Sequence, residues 1–121
     1  MGVVRVRVVV ANPINGRSVE AHAIVDTGAS YTVIPEAMDR ELGTLPRSGR
    51  VVRVEKAGGG DVLEEAMALI ELEGERGFTP VLISRTQDEV LIGLLTLEGF
   101  GFRVGPVTGR LVGVPIYLLR S

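Results

Sequence analysis

The chain has 121 residues, of which 45% are hydrophobic, and this length and composition predict a single compact domain over residues 1–121. Its 13 basic and 15 acidic residues form no basic run, which argues against nucleic acid as a partner. There is no cysteine, and His22 is the single histidine. These counts exclude a disulfide framework and argue against both a Cys- or His-ligated metal site and a Ser-His-Asp triad, so we expect neither a metal nor another cofactor.

The beginning of the sequence and its longest apolar run bear on location. The first residues, MGVVRVRVVV, place no basic leader before a long apolar segment, as a signal peptide would. The myristoylation pattern fails because Val6 stands where Ser or Thr is required. The longest apolar run, VLIGLL, is too short to cross a bilayer. We therefore expect a soluble, cytoplasmic protein with no membrane partner.

Alternation with a period of two predicts a first pair of strands. In residues 3–10, valines alternate with Arg5 and Arg7, which is typical of a half-buried strand. Residues 12–17 contain Asn-Pro and Asn-Gly, and both dipeptides are turn signals. Apolar residues return in the segment 18–25, so we expect these two strands to form a hairpin.

One helix is expected, in residues 35–43, PEAMDRELG. Pro35 suits the first helical position and Gly43 can end the helix. Met38 and Leu42 share one face because they are four residues apart.

Short strands are expected in most of the remaining chain. Six apolar segments bounded by glycine-rich turns have strand character, at residues 31–34, 50–56, 62–72, 77–84, 100–104 and 111–119. The apolar residues 90–98 are expected to end in a single helical turn before Gly99. Many short strands of this kind predict an all-β sandwich or barrel.

An acid interrupts the apolar segment AIVDTGASYTVIP, residues 23–35. Asp26 directly follows three apolar residues, and no Lys or Arg occurs within the segment. A buried carboxylate without a partner is energetically costly. The compensating group must therefore come from elsewhere in the fold or from another chain.

This segment resembles the active-site loop of aspartic proteases. Apolar residues precede Asp26-Thr27-Gly28, and an apolar-apolar-Gly segment follows downstream in residues 90–93, Val-Leu-Ile-Gly. In that family the second segment packs against the catalytic loop in a ψ-shaped crossing.

A glycine-tipped hairpin between the two segments extends the resemblance. Gly58, Gly59 and Gly60 occupy the position where the family carries its substrate-covering flap. The order and spacing of these parts are similar to those of the single-lobe, retropepsin-like branch, and the resemblance covers residues 3–112. It implies a closed retropepsin-like acid-protease barrel with one short helix.

The resemblance also implies an aspartic endopeptidase with defined site residues. Asp26, Thr27 and Gly28 would be catalytic. Six residues would bind substrate, namely Ala29, Ser30, Gly58, Gly59, Gly60 and Ile92. Four apolar residues could form a pocket wall, or could equally belong to the core: Ile34, Val81, Leu82 and Ile92.

A single Asp-Thr-Gly in the chain predicts a homodimer. Two carboxylates sharing one proton can hydrolyse a peptide bond, since one activates water while the other donates a hydrogen bond to the carbonyl oxygen. A single lobe would obtain the second Asp26 through a two-fold axis. The partners expected are thus a second copy and a peptide or protein substrate. The apolar tail, residues 114–120, is either an intermolecular strand or the last strand of the barrel.

Two positions depart from the retroviral pattern. Retroviral enzymes carry an Asp and an Arg that form an ion pair, where this chain has Ser30 and Leu94. Ser30 is then expected to hold the substrate backbone, more weakly than Asp does. The alternative to an enzyme is a non-catalytic peptide-binding or dimerisation module of the same fold, because fold alone does not determine function.

Overall fold

A computed structural model describes residues 3–105 and 109–114. The tail predicted to form a strand lies outside these ranges, apart from Val114. In chain order the elements are β1 (Arg5–Ala11), β2 (Ser18–Val25), β3 (Thr32–Pro35), α1 (Glu36–Glu41), β4 (Arg47–Lys56), β5 (Gly59–Leu72), β6 (Glu75–Ser84), β7 (Leu91–Ile92), α2 (Leu94–Phe100), β8 (Phe102–Val104) and β9 (Leu111–Gly113).

Most of the described strands belong to one sheet, in the order β1-β2-β7-β3-β6-β5-β4. Strand β1 pairs with β2 along one edge and with β5 along the other, so the sheet curls back on itself. Strands β8 and β9 form a separate two-stranded ribbon. The prediction of a mostly β architecture is confirmed, and the arrangement is consistent with a retropepsin-like fold.

The hairpin predicted at the start of the chain is confirmed. Strands β1 and β2 pair antiparallel over their whole length. The turn between them is anchored by Asn12, whose buried side-chain amide donates hydrogen bonds to the carbonyl oxygens of Leu42 (2.9 Å) and Thr44 (3.1 Å). This turn is thereby attached to the end of α1.

Two short helices lie within the described residues, where the sequence indicated one helix and one further helical turn. Helix α1 matches the prediction, with Pro35 as its N-cap instead of its first residue. Helix α2 extends the expected turn to seven residues because Thr96 and Leu97 are buried against the sheet, and Gly101 in the left-handed region ends it. Neither helix is long and apolar enough to cross a membrane.

The core lies inside the curled sheet and receives side chains from both halves of the chain. Its fully buried members include Val8, Val10, Ile34, Leu42, Ile70, Val81, Ile92 and Leu97. Contacts between early and late segments hold together the two parts of the chain that form the site described below.

A partly buried ion pair, in which Asp39 is buried and Arg47 is partly exposed, attaches α1 to β4. The carboxylate of Asp39 accepts hydrogen bonds from the backbone N–H of Leu45 (2.8 Å) and from two guanidinium nitrogens of Arg47 (3.0 and 2.8 Å). Burial on its own raises the pKa of this carboxyl, but the hydrogen bonds from Arg47 and Leu45 outweigh burial. The pKa of Asp39 therefore lies below its ordinary value.

Asp39→Asn is expected to lower the free energy of unfolding by about 2–4 kcal/mol at neutral pH, because Arg47 loses its charged acceptor. Since the folded-state pKa of Asp39 is depressed, its stabilisation is complete above the unfolded-state value of about 3.9 and is lost as the pH falls through the folded-state pKa. Urea titrations from neutral pH into acid should show the difference between the two proteins narrowing.

A matched control for this variant is Glu36→Gln on the same helix. Glu36 pairs with Arg40 at the exposed surface, where an ion pair contributes about 0–1 kcal/mol. If the stability difference between Asp39→Asn and the wild type stayed constant from neutral pH to acid, the ionised Asp39 would not be the group that stabilises the fold through Arg47.

Candidate active site

The loop that carries Asp26 wraps around the segment that follows β7. Strand β7 lies between β2, to which it is parallel, and β3, to which it is antiparallel. The backbone N–H of Asp26 donates to the carbonyl of Ile92 (2.9 Å), and the N–H of Leu94 donates back to the carbonyl of Ala29 (2.8 Å). These reciprocal bonds form the crossing that the two sequence segments predicted.

Gly93 stands where the two segments touch. A side chain here would overlap the carbonyl group of Tyr31 and would place its Cβ 2.9 Å from the nitrogen of Thr32. The apolar-apolar-Gly pattern therefore has a steric origin, since the crossing closes only around a residue without a Cβ.

Three buried threonines connect the elements beneath the loop. Thr32 in β3 accepts a hydrogen bond from the backbone N–H of Gly93 (3.0 Å). Its hydroxyl lies 2.6 Å from that of Thr96 in α2, which lies 2.8 Å from that of Thr79 in β6. These three hydrogen-bonded threonines could not be predicted from the sequence, because they are far apart in it and no motif marks them.

The Asp26 side chain is half-buried at the end of β2, where the loop opens to solvent. Its Oδ1 accepts a hydrogen bond from the backbone N–H of Gly28 (3.0 Å). A Cβ on Gly28 would lie 3.2 Å from the same oxygen, so the absence of a side chain there lets the backbone approach the carboxylate. The carboxylate is thus held by backbone and still accessible.

A cavity of about 520 Å³ lies between this loop and strand β4. Its walls combine the loop with apolar side chains from five strands and a few polar groups. The lining residues are Asp26, Gly28, Ala29, Ser30, Tyr31, Val33, Val52, Arg53, Val54, Glu55, Leu63, Leu82, Ser84, Gln87 and Leu91. Such a partly apolar cavity beside an accessible carboxylate can hold an extended chain with apolar side chains.

The loop residues expected at the site are brought together, with one difference. Asp26, Gly28, Ala29 and Ser30 line the cavity, whereas Thr27 is exposed beside it and is absent from its wall.

Of the four apolar residues predicted to line a pocket or belong to the core, one lines the cavity and three lie in the core. Leu82 lines the cavity, but Ile34, Val81 and Ile92 are fully buried in the core. The side chain of Ile92 therefore does not reach the cavity, and its contribution is the backbone carbonyl that accepts from Asp26.

The three glycines lie at the far end of the β4–β5 hairpin. The turn is formed by Ala57 and Gly58, while Gly59 and Gly60 already pair with β4. None of the three lines the cavity, which is bounded on this side by residues 52–55. Their expected role in covering the substrate stays a prediction.

A second polar cluster adjoins the cavity. The hydroxyl of Tyr31 donates to Oε2 of Glu65 in β5 (3.0 Å), and Glu65 is buried. Hydrogen bonds from Ser48 and Tyr31 lower the pKa of the Glu65 carboxyl. The same bond to Glu65 and burial raise the pKa of Tyr31. Nothing in the sequence marked these residues, which meet only because the sheet curls.

Comparison with known families agrees with this geometry. A family model described as aspartyl protease matches residues 6–96. The match includes the Asp26 loop, the β4–β5 hairpin and the crossing segment through Thr96. No curated protein matches the chain.

Proposed function

The chain belongs to the aspartyl protease family, and from this we propose that it is an aspartic-type endopeptidase that acts as a homodimer. The observation that carries the proposal is the accessible Asp26 carboxylate, held by the backbone of its own loop at the edge of a peptide-sized cavity. One chain supplies one such carboxylate, and the chemistry needs two.

In the proposed mechanism, the two Asp26 side chains share one proton and hold a water between them. The ionised carboxylate takes a proton from the water as its oxygen attacks the peptide carbonyl carbon. The protonated partner donates to the carbonyl oxygen, which gives a neutral tetrahedral intermediate. The first Asp26, now protonated, gives its proton to the nitrogen as the C–N bond breaks. A hydroxyl of the intermediate returns its proton to the second Asp26, so that a carboxylic acid and an amine are released and the pair again holds one proton. The backbone N–H of Gly28 orients the carboxylate throughout.

Exposed residues around the loop support a second copy as the partner. Thr27, Gly28 and Ser30 face solvent. Beside them, Leu94 and Leu95 at the start of α2 are 39% and 47% exposed, although both are large apolar residues. An isologous contact through this surface would bury the leucines and bring two Asp26 loops together.

The cavity favours a peptide substrate with aliphatic side chains near the cleaved bond. Its apolar wall includes Val33, Leu82 and Leu91 on one side and Val52 and Val54 on the other. We further propose that the sheet is a closed barrel, supported by the pairing of β1 with both β2 and β5. The single domain over residues 1–121 and the cytoplasmic location stay predictions.

Activity per chain is expected to fall on dilution, because a monomer holds half of the site. Leu95→Asp should weaken the dimer by about tenfold or more, since the interface would bury a charge. Hydrolysis of a fluorogenic peptide library, measured beside sedimentation velocity over the same concentrations, tests both expectations.

The matched control is Ile14→Asp, a change of the same kind at a residue that is 79% exposed in the β1–β2 turn. This variant should dimerise and cleave like the wild type. Constant activity per chain in samples that sediment as monomers would rule out the homodimeric site. Peptide binding without cleavage by the dimer would instead favour the non-catalytic module.

A further inference from the structure

We propose that Tyr31 is a positioning residue that, through Glu65, fixes the base of the β4–β5 hairpin and so sets the wall of the cavity opposite Asp26. The inference rests on the proposed function, since it assigns to this bond the placement of the hairpin against the substrate. It concerns substrate binding and gives Tyr31 no part in the chemical step.

Tyr31 connects the loop that carries Asp26 with strand β5. Its backbone belongs to the loop that carries Asp26, and its carbonyl group packs against Gly93 at the crossing. Its ring lines the cavity, and its hydroxyl reaches β5, where it donates to Glu65 (3.0 Å). One side chain therefore spans from the catalytic loop to the hairpin.

Glu65 in turn connects β5 with an irregular part of β4. Besides Tyr31, its buried carboxylate accepts a hydrogen bond from Ser48 in β4. The regular pairing of β4 with β5 is interrupted between Arg47 and Val51, directly opposite Glu65, so Ser48 lies in a bulge. A bulge bends its strand and leaves backbone groups unpaired, and here a side chain takes over part of the missing connection.

The bulge precedes the part of β4 that lines the cavity. Beyond it, β4 continues into residues 52–55, which form the cavity wall facing the Asp26 loop. The direction of residues 52–55 therefore depends on the contacts that fix the bulge. Within the described residues, Tyr31 is the side chain that ties the bulge, through Glu65, to the loop with the carboxylate.

The low pKa of Glu65 indicates that Tyr31 donates its hydrogen bond to an ionised carboxylate. Ser48 and Tyr31 both donate to Glu65, and the nearby Arg50 adds a favourable charge, which together keep its pKa low despite burial. Hydrogen bonds to a charged acceptor are about twice as strong as those between neutral groups. Loss of the Tyr31 hydroxyl would leave a buried carboxylate with one fewer donor.

The experiment combines hydrogen exchange with steady-state kinetics. In Tyr31→Phe, amide exchange in residues 51–55 should accelerate about tenfold, while exchange in β1 and β2 stays at the wild-type rate. For a cleaved peptide, KM should rise about fivefold with kcat changed by less than about twofold. Ser48→Ala, made on the hairpin side, should act in the same direction.

Glu65→Gln is the conservative control. Its amide oxygen can accept from Tyr31, and its amide nitrogen can donate to the Ser48 hydroxyl, so both connections are kept. Exchange in this variant should stay closer to that of the wild type than in Tyr31→Phe.

Three results would overturn the inference: unchanged exchange in the hairpin of Tyr31→Phe, acceleration spread evenly over the chain, or a fall in kcat with KM unchanged. A wild-type protein that cleaves no peptide would refute the proposed function, and the exchange measurements would still decide the role of Tyr31.

Discussion

Asp26→Asn is expected to abolish peptide hydrolysis, by a factor of about 10³ or more, because an amide cannot take a proton from the attacking water. The chain should remain folded, since the Asn side-chain oxygen can still accept the hydrogen bond from the N–H of Gly28. The dimer should be as stable as the wild type or more stable, because a pair of neutral amides needs no shared proton to avoid like-charge repulsion. Fluorogenic peptide hydrolysis and a melting curve measure the two effects.

Mixing the variant with the wild type tests whether two chains share one site. If the subunits exchange freely, a mixture of equal amounts should have about a quarter of the activity of a wild-type sample with the same total number of chains. Only about one dimer in four then contains two wild-type chains.

The control for Asp26→Asn is Asp88→Asn, the same change at an exposed loop residue outside the cavity wall. Retained hydrolysis by Asp26→Asn would end the aspartic-protease assignment. A large loss of stability with this variant would instead indicate that the carboxylate is structural, and would favour a binding module.

Local patterns in the sequence were sufficient for the parts of the fold that depend on neighbouring residues. The alternation in residues 18–25 predicted β2 with its observed bounds, and Asn-Pro and Asn-Gly marked the turn before it. The crossing was predicted by resemblance, because residues 24–30 and residues 90–93 are each similar to segments that cross in aspartic proteases. The signal for each strand, turn or loop segment lies within a short stretch of chain.

The remainder of the site depends on contacts between distant residues. Thr79 and Thr96 look like ordinary members of apolar segments until the fold brings their hydroxyls to 2.8 Å. Glu65 lies in a segment whose pattern predicts only a strand. Its hydrogen bond with Tyr31, 34 residues earlier in the chain, cannot be predicted from that pattern. The glycines were expected over the substrate, and the pairing of β4 with β5 places them in and next to the turn of the hairpin, outside the cavity wall.

Gly93→Ala is expected to damage both the fold and the site, because the added methyl group would overlap the carbonyl group of Tyr31. To avoid this overlap, the Asp26 loop and the segment after β7 must move apart. This movement strains or breaks the backbone hydrogen bonds from Asp26 to Ile92 and from Leu94 to Ala29. We expect a loss of about 3 kcal/mol or more in the free energy of unfolding, at the upper end for an overpacked site. The melting temperature should fall by about 10 °C or more.

The same substitution at Gly99 separates this steric effect from the general consequence of replacing glycine. Gly99 lies in α2, and a Cβ there would meet no other atom within 4 Å. Gly99→Ala should therefore stabilise the chain by about 0.5–1 kcal/mol through helix propensity, with activity unchanged. Gly93→Ala should lose hydrolysis even at temperatures where circular dichroism shows it folded, because its carboxylate is displaced. Equal stability of the two variants, or wild-type turnover by folded Gly93→Ala, would show that the crossing does not position Asp26.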